Sequence, residues 1–218
     1  MLTTLRRFEA LLQTYHQLID MILFTMRLEV RVITVYYLDL AMRNGNYQID
    51  DDASKPDPNI VKVNTEINEL DEAASRTLTE EERRFLFDGV GLLMDKILMS
   101  ATRTIKYATN QGAKKMLRNI SALQQNLKTI VTWPVGTDFS LSRRFWELRL
   151  IDPKEWLDGL RTHKPEFSFD EYECLLKLQC GVGNSDEDDV KLGSSDKARR
   201  VYNDYHIELH QLMMDDDF

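Results

Sequence analysis

His206 and His210 stand four residues apart, the spacing at which two imidazoles share a helix face and can ligate one metal ion. Ile207, Glu208 and Leu209 between them do not make the His-Glu-x-x-His arrangement, and Glu208 points away from the shared face. No further ligand lies nearby in sequence, so the pair reads as surface histidines. Gly89-Val90-Gly91 resembles the opening of a dinucleotide-binding fingerprint, but no strand precedes it and Met94 stands where the third glycine belongs. Two glycines inside a helical pattern indicate instead a neighbouring helix that approaches closely. Gly181-Val182-Gly183 fails the same test and reads as a helix stop followed by a loop. Glu80, Glu81 and Glu82 suit the positive end of a helix. The acidic clusters at 50–52, 186–189 and 215–217 lack the spacing and the glycine of a calcium loop. No serine, cysteine or threonine sits in a nucleophile turn. These residues predict a protein that is not an enzyme and needs no cofactor or metal.

Binding chemistry has more to work with. Lys114, Lys115, Arg118 and Lys128 share one helix face with no acid among them, a candidate patch for acidic lipid or a partner. Arg143 and Arg144 beside Phe145-Trp146 could extend such a patch, although arginines flanking buried aromatics are also ordinary in a bundle. The chain as a whole carries a net charge of −8, which opposes nucleic acid as a partner. Cys174 and Cys180 lie six apart on what reads as one helix, facing different ways, so no disulfide is expected and reduced thiols fit the cytosol. Asn119-Ile120-Ser121 is a glycosylation sequon placed mid-helix beside an apolar seam, a poor acceptor. No signal peptide opens the chain. The most hydrophobic window, Ile19 to Leu40, holds Asp20, Arg27, Glu29, Arg31 and Asp39, too many charges for a membrane span.

The elements that position these residues are all helical. Few glycines and prolines interrupt the 218 residues, and the prolines fall between periodic segments. Gly112 to Val131 is the central helix. Met116, Ile120, Leu123, Leu127 and Ile130 form its heptad-like seam, while Leu117 and Val131 widen the face around Gln124. A half-buried amide at Gln124 must find hydrogen-bond partners on a neighbour. Leu2 to about Arg43 reads as one helix of roughly 60 Å, apolar on so many faces beyond Ile19 that more than one neighbour should enclose it. Its abrupt start suggests a piece of a longer protein. Asn44-Gly45 ends it, and Ile60, Val63, Ile67, Leu70 and Ala74 mark a second helix.

Thr79 with Glu82 forms a capping box opening a third helix that runs to about Asn110, where Gln111-Gly112 turns the chain into the central helix. Trp133-Pro134-Val135-Gly136 is the clearest break and divides the chain into a bundle over 1–134 and a second over 135–218, packed end-on or alongside. Past it Asp138 caps a helix carrying Phe139, Phe145, Trp146 and Leu148. Asp152-Pro153 opens the next, and Ser168 with Glu171 caps a leucine-rich helix with Tyr172, Leu175, Leu176 and Leu178. A last helix holds Val201, Tyr202, Tyr205, Leu209 and Leu212. The fold class is all-α, with stacked antiparallel bundles.

Three of these segments carry a resemblance. The Leu123-Gln124-Gln125-Asn126-Leu127 run, the Arg143 to Leu148 helix, and Tyr172 to Leu176 followed by Gly181-Val182-Gly183 together resemble the C-terminal region of the exocyst complex component 4 family. Met116, Ile120, Leu123, Gln124, Leu127, Phe145, Trp146 and Leu175 are the motif and core positions in that comparison. The resemblance implies the end of a larger rod-shaped subunit built from stacked helical bundles, as in multisubunit vesicle-tethering proteins. It implies a cytoplasmic, non-enzymatic protein, peripheral at sites of secretion on the plasma membrane. There it would tether secretory vesicles in exocytosis through contacts with other exocyst subunits. Animal members end in a valine-terminated tail read by PDZ domains. This chain ends Asp-Asp-Asp-Phe, which fits a fungal or other distant member. The alternatives are a peripheral helical domain that binds acidic lipid, and a tethering subunit of a different, Golgi-type complex.

Overall fold

The computed structural model describes residues 2–48, 55–105, 107–132, 137–182 and 196–214. The break at Trp133 to Gly136, and with it the division after residue 134, lies outside the described residues. So do Gly183 and the acidic clusters at 50–52, 186–189 and 215–217. The described residues contain helices and no strand: α1 Leu2–Asn44, α2 Pro58–Ser75, α3 Glu80–Phe87, α4 Val90–Ala101, α5 Asn110–Ile130, α6 Ser140–Leu148, α7 Pro153–Leu160, α8 Phe169–Cys180 and α9 Asp196–Met214. A single 3-10 turn, Thr102–Thr104, follows α4. The fold is an all-α bundle.

The C-terminal half of α1 packs on α2, α3 and α4, and α5 lies against α2. Helix α6 bridges α4 and α5, and α9 closes over α8 and α7. The core runs continuously from Val30 and Leu38 of α1 through the α5 seam to Phe145 and Trp146 of α6 and on to Leu175 and Leu176 of α8. Local sequence fixes several starts as expected. Thr79 and Glu82 exchange backbone bonds in a capping box, Glu171 reaches back to the Ser168 N–H at 2.8 Å, and Asp152 accepts from the Lys154 N–H at 2.9 Å. Gly181 ends α8 in the left-handed region at φ +66.

Five expectations are corrected. The third helix does not run to Asn110: it breaks at Asp88-Gly89, restarts as α4, and ends in an extended stretch after Thr104. Gly89 sits at φ +76 with open space where a Cβ would be, so it permits a left-handed link and not a close helix contact. Gly112 does not turn the chain. It lies in the first turn of α5, capped by the Thr109 side chain, and a Cβ there would sit 2.0 Å from the Tyr47 carbonyl oxygen. Asp138 does not cap α6, whose N-cap is Phe139 at φ +48 with no side-chain bond of its own.

The fifth correction concerns α1. Every described residue from Thr4 to Ile22 is exposed, and beyond them Phe24, Leu28, Val32, Val35 and Tyr36 are exposed as well. Among the described residues, α2, α3 and α4 together cover the side bearing Val30, Leu38 and Ala41. Periodicity reports that a face is apolar; it does not say which chain supplies the cover.

Two glycine substitutions should move stability in opposite directions. Gly112→Ala forces backbone against backbone at Tyr47 and is expected to cost about 1–3 kcal/mol. Gly159→Ala, inside α7 with nothing within 4 Å of its added Cβ, should stabilise by about 0.5–1 kcal/mol. Thermal melts of both variants check the pair.

Candidate interaction surface

The central helix places its seam inward. Met116, Ile120, Leu123 and Leu127 are buried, as are Phe145, Trp146 and Leu175. Gln124 lies half-buried at the edge and meets α6: the Arg143 guanidinium donates to its Oε1 at 2.7 Å, and its Nε2 donates to the Asp138 carbonyl at 3.3 Å. Tyr47 forms the other anchor. Its ring stacks on Trp146 at 6.2 Å, its carbonyl accepts the Thr109 N–H at 3.0 Å, and its hydroxyl donates to the Ala41 carbonyl at the end of α1. Burial raises its phenol pKa well above the ordinary value, with Asp57 adding to the shift.

The buried polar groups have a common task. A helix leaves its first N–H and last C=O groups without internal partners, and α3, α6 and α7 are so short that these groups are much of the element. Neighbours supply the missing partners. Asp95 of α4, buried, accepts from the Leu141 and Ser142 N–H groups at 3.3 and 2.9 Å, capping α6 from another helix. Asn119 of α5, fully buried, accepts the Asp57 N–H at 2.9 Å where α2 begins, which also seals the sequon inside.

Carbonyl ends are met in the same way. Arg27 donates to Phe85 O at 2.6 Å and Arg31 to Asp88 O at 2.8 Å, closing the end of α3. Arg83 pairs with both oxygens of Asp71, at 2.6 and 3.0 Å, and donates to the Ile130 carbonyl at 3.1 Å, ending α5. Gln179 of α8 donates to Leu148 O and Ile151 O while accepting from Trp156 Nε1. Buried Arg149 donates to the Ala108 carbonyl and to Asn110 Oδ1 at the start of α5, and desolvation lowers its pKa.

The residues singled out for chemistry are dispersed or engaged. His206 and His210 both set ring edges against Phe169, at 5.7 and 5.8 Å, and His206 Nε2 lies 3.6 Å from Glu173. Among the described residues no group of three or more His, Cys, Asp or Glu side chains could hold a metal ion. Burial raises the Cys174 thiol pKa and pushes that of Cys180 up to about 11 against the opposing charge of Arg149, so both stay protonated at neutral pH. A cleft of about 640 Å³ is lined by Arg149, Asp152, Gln179, Lys197 and Tyr205 among others. Asp152 is committed to its cap and Arg149 to α5, so their charges do not converge on the space.

Of the basic candidates, Lys114 and Lys128 are exposed and Arg118 is half-buried. Lys115 is largely buried, 3.7 Å from Asp57 and over the Tyr47 ring. Arg144 pairs with Glu166 at 3.1 Å. Among the described residues, most of the exposed large apolar side chains are on α1. No helix among the described residues is long and apolar enough to cross a membrane.

No protein-family model matches the chain. Curated relatives do. Exocyst complex component 4 of Mus musculus and that of Homo sapiens are each 31% identical over 188 residues, covering 84% of this chain and 19% of the relative. Exocyst complex component 4 of Drosophila melanogaster is 31% identical over 169 residues, 76% of this chain and 17% of the relative. The chain belongs to the exocyst complex component 4 family. It spans about a fifth of the length of the relatives it matches.

The segments read in the sequence as family motifs are interior ones. Leu123 and Leu127 of the α5 run, Phe145 and Trp146 of α6, and Leu175 of α8 all contribute to the core. The capping side chains Asp95, Asn119, Arg83 and Gln179 were not evident from the sequence. For Asp95 the available signal was a lone acid within the apolar run Leu92 to Met99.

Two tests follow from this geometry. Asp95→Ala should cost about 2 kcal/mol, the upper range for a lost N-cap, and Asp95→Asn less, because an amide oxygen still accepts; chemical denaturation measures both. Glu173 ties α8 to α9 by accepting from Tyr202 Oη at 3.1 Å. Burial raises its pKa, but Lys177, Tyr202 and His206 outweigh that and hold it below the ordinary value. Its contribution is therefore present above the unfolded carboxylate pKa and is lost as pH falls through the lower folded value. Protection factors of the α9 amides should fall over that acidic range in the wild type, and that fall should be absent in Glu173→Gln.

Proposed function

We propose that this chain is a non-enzymatic structural segment, from the C-terminal region, of an exocyst subunit that tethers secretory vesicles to the plasma membrane. The observation that carries the reading is the 31% identity to exocyst complex component 4 of mouse and human across 84% of the chain. Its partners are the other exocyst subunits, met through protein–protein contacts. Its place is the cytoplasmic side of the plasma membrane at sites of secretion, held there peripherally. The engagement of Asp95, Asn119, Arg83 and Gln179 in helix ends supports a role that depends on rigid shape. The two helical layers, residues 1–134 and 135–218, serve as one stiff length of the subunit. Supporting that, Trp146 of the second layer stacks on Tyr47 of the first. Lys114 and Lys128 are exposed and available to a partner or lipid, whereas Arg144, also exposed, is paired with Glu166.

Affinity purification of the full-length protein that contains this chain tests the assignment. The co-purifying set should be the other exocyst subunits; recovery of a Golgi-type tethering complex in their place would contradict it. Mixed with acidic liposomes at low salt, the 218-residue chain, with its net charge of −8, should stay unbound. Binding that Lys114→Glu with Lys128→Glu abolishes would favour the lipid-binding alternative.

A further inference from the structure

Helix α9 is held differently from the rest of the bundle. Of its 19 residues, Asp196 to Met214, only Leu209 is buried. Tyr202, Tyr205, His206, Leu212 and Met213 form a half-buried inner line around it. Helix α5, of similar length, buries eight residues, and hydrophobic stabilisation follows the apolar area taken from water. The polar ties of α9 are peripheral as well. Tyr202 Oη donates to Glu173 at 3.1 Å. Glu208 pairs with Arg161, whose side chain is 54% exposed, so solvent screens that ion pair.

The body does not lean on α9 in return. The bonds that close helix ends there come from Arg27, Arg31, Arg83, Asp95, Asn119 and Gln179, all on other helices, so they survive when α9 leaves. The cleft of about 640 Å³ is lined on one side by Lys197, Ala198 and Val201 of α9 and on the other by Arg149, Pro153 and Cys180. Helix and body are therefore not in full contact along the first turns. Contact is firmer further on, where His206 and His210 rest edge-on against Phe169 and Leu209 enters the core.

We propose that α9 is a strap that releases as one unit from the α7–α8 face while the rest of the bundle keeps its fold. A segment tied by one buried leucine and by rim contacts opens at lower free energy than the core beneath it. Release is cooperative because the Leu209, Phe169 and Glu173 contacts lie along one helix axis and are lost together when it lifts. Closed, α9 occupies Phe169 and Glu173 of α8 and Arg161 of α7; released, it leaves them uncovered. One face of the protein thus has two states on an otherwise fixed body. The inference does not depend on the exocyst assignment.

Native-state hydrogen exchange of the 218-residue chain, resolved by NMR at low denaturant concentrations, tests it. The α9 amides from Tyr202 to Leu212 are expected to share one protection factor, at least about 100-fold below that of the α5 seam, and one denaturant slope smaller than that of α5. A variant that weakens only the body separates release from global unfolding. Asp95→Ala should lower α5 protection by about 30-fold and leave α9 protection unchanged, because the body is intact in both the closed and the released state. Asp95→Asn, which keeps an acceptor, should show the same split at smaller amplitude. Protection of α9 equal to that of α5, or falling with it by the same factor in these variants, would overturn the proposal. So would α9 amides that open one by one from the ends inward.

Discussion

Short helices leave backbone groups unpaired at both ends, and that constraint governs how this protein spends its polar side chains. In an eight- or nine-residue helix the orphan N–H and C=O groups are nearly as numerous as the satisfied ones. The element cannot be buried until something meets them. Here several of the partners come across helix interfaces. Asp95 caps α6 from α4, Arg27 and Arg31 close α3 from α1, and Gln179 ties α8 to the link between α6 and α7. Each bond fixes the axial position of one helix against another, which apolar packing alone does less sharply.

The α5 seam and its aromatic neighbours supply the burial that those bonds direct. Met116, Ile120, Leu123 and Leu127 present a continuous ridge to the core, and Trp146 stacks over Tyr47 at the α1–α5 junction. Gly112 lets the Tyr47 backbone approach α5 closely enough to bond with Thr109. With the polar inventory committed to this scaffold, the side chains that looked chemically suggestive have ordinary neighbours. The histidine pair rests on Phe169 and the thiols are protonated by burial.

What could be read from the sequence was what is encoded within a few residues. Helical periods, the Thr79–Glu82 and Ser168–Glu171 boxes and the Asp152-Pro153 start are local features, and all reappear in the fold. Gln124 was legible as an amide in need of neighbours, although Arg143 as its partner was not. Contacts such as Asp95 to Ser142 span 47 positions and leave no local trace beyond an acid in an apolar run. The break at Asp88-Gly89 was hidden because the apolar spacing continues through it; a D-G dipeptide was the available cue. Phe139 in the left-handed region displaced Asp138 as the cap because Asp95 already serves those amides. The exposure of α1 was illegible for a different reason, since an amphipathic pattern is silent about who covers it.

The account stands or falls on whether helix ends are satisfied from outside the helix. Hydrogen exchange of the Leu141 and Ser142 amides, resolved by NMR, examines this directly, because neither has a partner within α6. Protection comparable to mid-helix amides of α5 is the predicted result. Exchange at the rate of solvent-exposed amides, with α5 still protected, would contradict it.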